Sequence, residues 1–151
     1  MTPDDAVAQL RALSDPARAT GLAEYHKAPR EYLGLTTPQI TELAQGWRAE
    51  MDVPARVALA DALWQTDIFE ARIAAAKLLT QARMKPDAEA WALIASWVPT
   101  FDSWAIADAA AIAGQKRLQA DPSRIETVAE WTKSPHHWTR RAAMVFTLPW
   151  T

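Results

Sequence analysis

The sequence contains no cysteine and only four glycines in 151 residues. Without cysteine it can form no disulfide, no thiolate metal site and no cysteine nucleophile. The four glycines lie far apart, so the chain has no glycine-rich loop of the kind that cradles phosphate groups. No serine or threonine lies in the elbow motif that presents a hydrolytic nucleophile. These absences exclude each of those kinds of site.

Long apolar runs are missing as well. No run approaches the roughly 18 residues that a membrane-spanning helix needs, and residues 1–5 lack the basic and apolar segments of a signal peptide. We therefore expect a soluble, cytoplasmic protein that does not bind a membrane, and the lack of cysteine fits a reducing compartment.

Charge is nearly balanced overall but unevenly distributed. Sixteen Lys and Arg against eighteen Asp and Glu give a formal net charge of −2, which argues against a protein that coats nucleic acid electrostatically. Residues 114–151, however, hold six basic and three acidic side chains, together with His136 and His137. A polyanionic partner is therefore expected at the C-terminal third of the chain.

Alanine and proline are abundant, at 32 and 10 residues, which predicts Ala- and Leu-rich helices separated by prolines. Helix starts are predicted where Thr or Asp precedes Pro, at Thr2–Pro3, Asp15–Pro16, Thr37–Pro38 and Asp121–Pro122. Asp67 with Glu70 predicts a further start through a capping box. The predicted helices lie near residues 3–14, 16–26, 38–50, 54–65, 68–83, 87–97, 103–118, 122–132 and 137–148.

This pattern predicts an all-α fold. Many short helices joined by tight corners, with small alanine surfaces for close packing, favour a HEAT-like α-solenoid of paired antiparallel helices over a four-helix bundle. No linker or low-complexity tract interrupts the chain, so we expect a single HEAT-like domain over residues 1–151. The concave face of such a fold is normally its working surface.

The three histidines do not predict a metal site. His136 and His137 are adjacent and cannot point at one metal from the same helical face, and His26 lies far away in the sequence. We therefore expect no metal.

Eight tryptophans are present, and most of them are expected in the core. Trp104 differs because Asp108 follows it at i+4, on the same helical face and within the apolar run 106–113. In a second segment, Trp138 and Arg141 share one side of a helix, and Arg140 points about 100° away. An Asp108–Arg141 salt bridge would tie two helices together, and it would equally hold a catalytic carboxylate in place, so both interpretations stay open.

Four segments, taken in order, resemble the DNA alkylation repair family, whose members are HEAT-like all-α DNA glycosylases. The segments are Tyr25 with Tyr32–Pro38, Glu70–Arg72 with Ala75 and Leu78–Leu79, Asp102–Trp104 with Asp108, and Trp138–Ala143. The resemblance spans nearly the whole chain.

The resemblance implies removal of a cationic N3- or N7-alkyl purine from duplex DNA by hydrolysis of its N-glycosidic bond. It implies a catalytic site of Asp108, Trp104 and Arg141, in which the acid is catalytic, the indole packs on the sugar and the arginine contacts the DNA backbone. It places Tyr25 in the same cleft. Further DNA contacts are expected from Trp138, Arg140, Lys116 and Lys133 in the basic third of the chain. A cation is already a good leaving group, so this chemistry requires no cofactor.

The sequence departs from the family pattern in two places. Ala105 stands where the family often has an acid directly after the tryptophan. Family members usually exceed 200 residues, so we expect this chain to lack their C-terminal repeats and to self-associate through an uncapped C-terminal end. The alternative function is a non-enzymatic HEAT-like module that binds DNA or a protein partner, which the acidic composition of residues 1–113 favours.

Overall fold

A computed structural model describes residues 1–150, and α-helices account for most of them. The helices are α1 (Pro3–Ala12), α2 (Pro16–His26), α3 (Thr37–Ala49), α4 (Val53–Gln65), α5 (Phe69–Lys77), α6 (Ala88–Trp97), α7 (Trp104–Ala120), α8 (Ile125–Trp131) and α9 (His137–Phe146). Short 3₁₀ turns follow α6, precede α8 and follow α9. Over these residues no strand forms beyond one isolated bridge between Glu31 and Ile68. The predicted all-α class is therefore confirmed, and the helix packing is consistent with an α-solenoid.

Helix starts follow the predicted chemistry with three corrections. Thr2 and Asp15 cap α1 and α2 with proline in the first turn, as predicted. The cap of α3 is Thr36, one residue earlier than predicted, and Asp121 caps a 3₁₀ turn rather than an α-helix.

The predicted capping box of Asp67 and Glu70 is wrong. Ile68 occupies the N-cap of α5 without a side-chain cap hydrogen bond, and Asp67 has a positive φ of 55°. Glu70 instead turns into the interior and accepts backbone hydrogen bonds from Leu33, Gly34 and Leu35 at 2.8–3.3 Å. The helix also ends at Lys77 rather than near residue 83.

The chain divides into two compact units, Met1–Leu79 and one that begins at Thr80. In the first unit α5 packs against α3 and α4, and α1 contacts all three of these helices. Seven of the nine residues of α5 are buried, including Ala71, Ala74, Ala75 and Ala76. These small side chains allow neighbouring helices to approach α5 closely.

The second unit contains α6 to α9. Helix α7 packs against α6 and α9, and α8 packs against α9. Large apolar side chains fill its interior, among them Trp97, Phe101 and Phe146, which are at most 2% exposed. Among the described residues, no helix is both long enough and apolar enough to cross a membrane.

Candidate functional site

The helical periodicity of α7 determines which of its residues face solvent. Residues that face the other helices of the second unit are buried, whereas a single sector remains open. This sector, here called the open face of α7, consists of Trp104, Ala105, Asp108, Ala109, Ile112, Gln115, Lys116 and Gln119. Trp104 is 48% exposed at the first turn of the helix. Trp104 and Asp108 therefore lie on one face of the helix, as their i, i+4 spacing predicts, and the structure adds that this face is open.

An ion pair joins the open face of α7 to α9. Asp108 Oδ1 lies 2.9 Å from Arg141 Nη2, and the two side chains remain 40% and 34% exposed. Oδ1 itself is buried and makes no hydrogen bond within the described residues, so its contact with Arg141 is electrostatic. The exposed surface of Asp108 therefore lies on its other side-chain atoms, which include Oδ2.

The spacing between α7 and α9 allows this pair to form. A Cβ at Gly114 would overlap the ring of Phe146, so α9 can place this ring against α7 only where α7 lacks a side chain. Gln115 Nε2 donates a hydrogen bond to the Val145 carbonyl at 2.8 Å. These two contacts fix the α9 backbone beside α7.

Arg141 is also held by its own helix. Its guanidinium lies over the ring of Trp138 at 5.4 Å, which is a cation–π distance. The His137 ring lies 5.2 Å from the same indole. Trp138, predicted as a DNA contact, is thus partly covered and supports Arg141.

Two of the three other predicted cations, Arg140 and Lys133, lie outside the open face of α7. Arg140 Nη1 donates to the Ser134 carbonyl at 2.8 Å. Lys133 is 3.7 Å from Glu130 in an exposed pair. Lys116 lies half-buried on the open face of α7. Of the predicted DNA-binding cations, only Lys116 therefore shares a helix face with Asp108.

Tyr25 belongs to the first unit, where it lies in the last turn of α2 and is 68% exposed. Its ring meets His26 edge-on at 5.0 Å, and His26 in turn packs against Phe69 at 4.8 Å. Burial lowers the pKa of His26, the charge of Arg30 acts in the same direction, and Glu70 opposes them. Tyr25 is thus the exposed end of a packed aromatic group.

Ile112 is an open-face residue that the sequence prediction missed. It is 50% exposed, although it lies within the apolar run 106–113 that a core helix would bury. Its position one turn after Asp108, matching Trp104 one turn before, is the signal that could have identified it.

Comparison with known families supports the resemblance seen in the sequence. A family model described as DNA alkylation repair enzyme matches residues 6–151. The search of curated proteins found no match. The family match covers nearly the whole chain and supports a role in DNA alkylation repair. The chain belongs to the DNA alkylation repair enzyme family.

Proposed function

We propose that this protein is a DNA glycosylase that removes N3- or N7-alkylated, positively charged purines from duplex DNA. The observation that carries the proposal is the exposed Asp108 carboxylate, paired with Arg141 and preceded one turn earlier by the exposed indole of Trp104. Because only Oδ1 is buried beside Arg141, the rest of the carboxylate remains accessible to a sugar.

The reaction breaks the bond between C1′ of the deoxyribose and N9 of the purine. The bonding electron pair leaves with the base and neutralises its positive charge, and an oxocarbenium ion develops on the sugar. Water then adds to C1′ and loses a proton to solvent. Because the lesion supplies a good leaving group, the protein has to stabilise the developing cation and exclude misaligned water.

Asp108 Oδ2 is the group available for that stabilisation. Arg141 holds the other oxygen, so the carboxylate presents one fixed edge to the sugar. The face of an indole carries negative potential, and Trp104 can therefore add to the attraction for a cationic sugar. The exposed part of the Arg141 guanidinium remains available for a backbone phosphate.

Base release tests the proposal directly. Duplex DNA that carries N7-methylguanine is incubated with the parent protein, with Asp108→Asn and with Glu126→Gln. Glu126→Gln is the matched control because Glu126 is an exposed carboxylate of α8. We expect release by the parent and the control, and a loss of about 100-fold or more in Asp108→Asn.

Binding to an undamaged duplex of the same sequence, measured beside base release, separates this enzyme from the non-enzymatic alternative. Asp108→Asn should bind undamaged duplex at least as tightly as the parent, because the change removes one negative charge. If the parent binds the duplex tightly but releases no base, the proposed glycosylase activity is overturned and a binding module is favoured. Equal release by the parent and Asp108→Asn would overturn the assignment of Asp108.

A further inference from the structure

Ile112 stands out on the open face of α7 because it is a large apolar side chain held in solvent. It is 50% exposed, close to the 48% of Trp104. These are the only two large apolar side chains in this sector of α7, and they bracket Asp108 at i−4 and i+4. A turn of four residues corresponds to about 6 Å along the helix axis. Asp108 therefore lies midway along an apolar strip of about 12 Å.

The open face of α7 beside Ile112 carries only small side chains. Ala105 and Ala109 lie on the same side of the open face as Ile112, and neither carries a side chain beyond Cβ. A ligand that reaches Asp108 can therefore contact Ile112 without displacing a larger group. Lys116, one turn further on, places a cation at the end of the strip.

We propose that Ile112 is a specificity-determining residue that packs against a deoxyribose next to the damaged nucleotide and favours DNA over RNA. This inference rests on the proposed function. Successive nucleotides of one strand rise about 3.4 Å along the duplex axis and their sugars lie further apart than this, so a side chain about 6 Å from Asp108 along α7 is within reach of an adjoining sugar.

The physical basis is the 2′ position of the sugar. A deoxyribose presents a CH₂ group there, which an isoleucine side chain covers at a gain in free energy. A ribose presents a hydroxyl, which the same contact would strip of water without offering a hydrogen-bond partner. The 2′-hydroxyl is the group by which proteins distinguish RNA from DNA.

The test compares binding of the full chain to an undamaged DNA duplex and to an RNA–DNA hybrid of the same sequence. The proteins are the parent, Ile112→Ala, Ile112→Val and Ile125→Ala. Ile125 is the matched control because it is 42% exposed on α8, outside the open face of α7. We expect the ratio of the affinity for DNA to the affinity for the hybrid to fall about tenfold in Ile112→Ala. In Ile112→Val and Ile125→Ala this ratio should stay as it is in the parent.

Release of N7-methylguanine is measured in parallel, and KM and kcat are determined separately. Ile112→Ala should raise KM and leave kcat within about twofold, because the contact is made equally in the ground and transition states. An unchanged DNA preference in Ile112→Ala would overturn the inference even if the parent releases the base. A preference that depends on Ile112 in a parent that releases no base would instead overturn the proposed function and leave the strand contact in place.

Discussion

Gly114 of α7 lies so close to the ring of Phe146 in α9 that an added Cβ would overlap the ring. The Phe146 ring is fully buried and also meets Trp131 edge-on at 4.9 Å, so it has little room to move. Six residues before Gly114, the same helix carries Asp108 to within 2.9 Å of Arg141. The close contact and the ion pair therefore both join α7 to α9.

Gly114→Ala should separate α7 from α9. We expect the free energy of unfolding to fall by about 1–3 kcal/mol, as for other overpacked cores, and base release to fall with it. Chemical denaturation measures the first effect. Gly46→Ala is the control, since nothing lies within 4 Å of a Cβ at that helical position, and it should be neutral or stabilise by up to about 1 kcal/mol. Equal stability of the two variants would show that the contact between Gly114 and Phe146 does not set how closely α7 and α9 pack.

Arg141→Gln should reduce the salt dependence of duplex binding. If the guanidinium neutralises one phosphate, the slope of log K against log salt becomes shallower by about 0.9. Lys133→Gln should change the slope less, because Glu130 lies 3.7 Å from Lys133 and offsets its charge. Titrations at several salt concentrations give both slopes, and an Arg141→Gln slope equal to that of the parent would contradict a phosphate contact.

Glu70→Gln should weaken the segment between α2 and α3. The buried carboxylate accepts three backbone N–H groups, whereas a glutamine offers one acceptor oxygen and turns an NH₂ toward donors. We expect a loss of about 1–3 kcal/mol in the free energy of unfolding. Hydrogen exchange should show faster exchange at Leu33, Gly34 and Leu35. Glu42→Gln, at an exposed position of α3, should leave both measurements unchanged.

Acid should lower the stability of the second unit because it protonates Asp87. Hydrogen bonds from Arg124, with the charges of Arg124 and Arg117, hold the pKa of Asp87 below its ordinary value of 3.8, against the opposing effect of burial. A lowered pKa means that the unfolded chain takes up the proton first, so the stabilisation is complete above about pH 4 and is lost as the pH falls below it.

Asp87→Asn removes that contribution. Its free energy of unfolding should be lower than that of the parent at neutral pH and should fall less steeply between pH 5 and pH 2. Denaturation across this range checks the slope, with the exposed Asp61→Asn as the control. Parallel curves for the parent and Asp87→Asn would contradict the assignment.

The sequence was informative where local chemistry decides the structure. Thr2 and Asp15 cap their helices as predicted because a side-chain oxygen followed by proline satisfies the first-turn N–H groups within a few residues. The spacings also indicated that Asp108 and Arg141 each share a helix face with a tryptophan, whereas the packing of α9 on α7 brings the two together.

Tertiary contacts decided the rest. Glu70 has the spacing of a capping box, yet the three N–H groups that it satisfies lie more than 30 residues away in sequence. Ile112 has the composition of a core residue, and its exposure depends on which side of α7 the neighbouring helices cover. A window of a few residues therefore encodes neither the partners of Glu70 nor the exposure of Ile112, although the spacing of Ile112 from Asp108 indicates their shared helix face.

The buried alanines of α5 restrict which substitutions this helix can tolerate. Ala71, Ala74, Ala75 and Ala76 have no exposed surface, and they are distributed around the helix rather than along one stripe. Any larger side chain there must push a neighbouring helix outward, whereas Gly21 and Gly46 have open space for an added methyl group. Natural variation is therefore expected to accumulate on outer helix surfaces and to spare α5, so that this helix changes little among sequences that keep the fold.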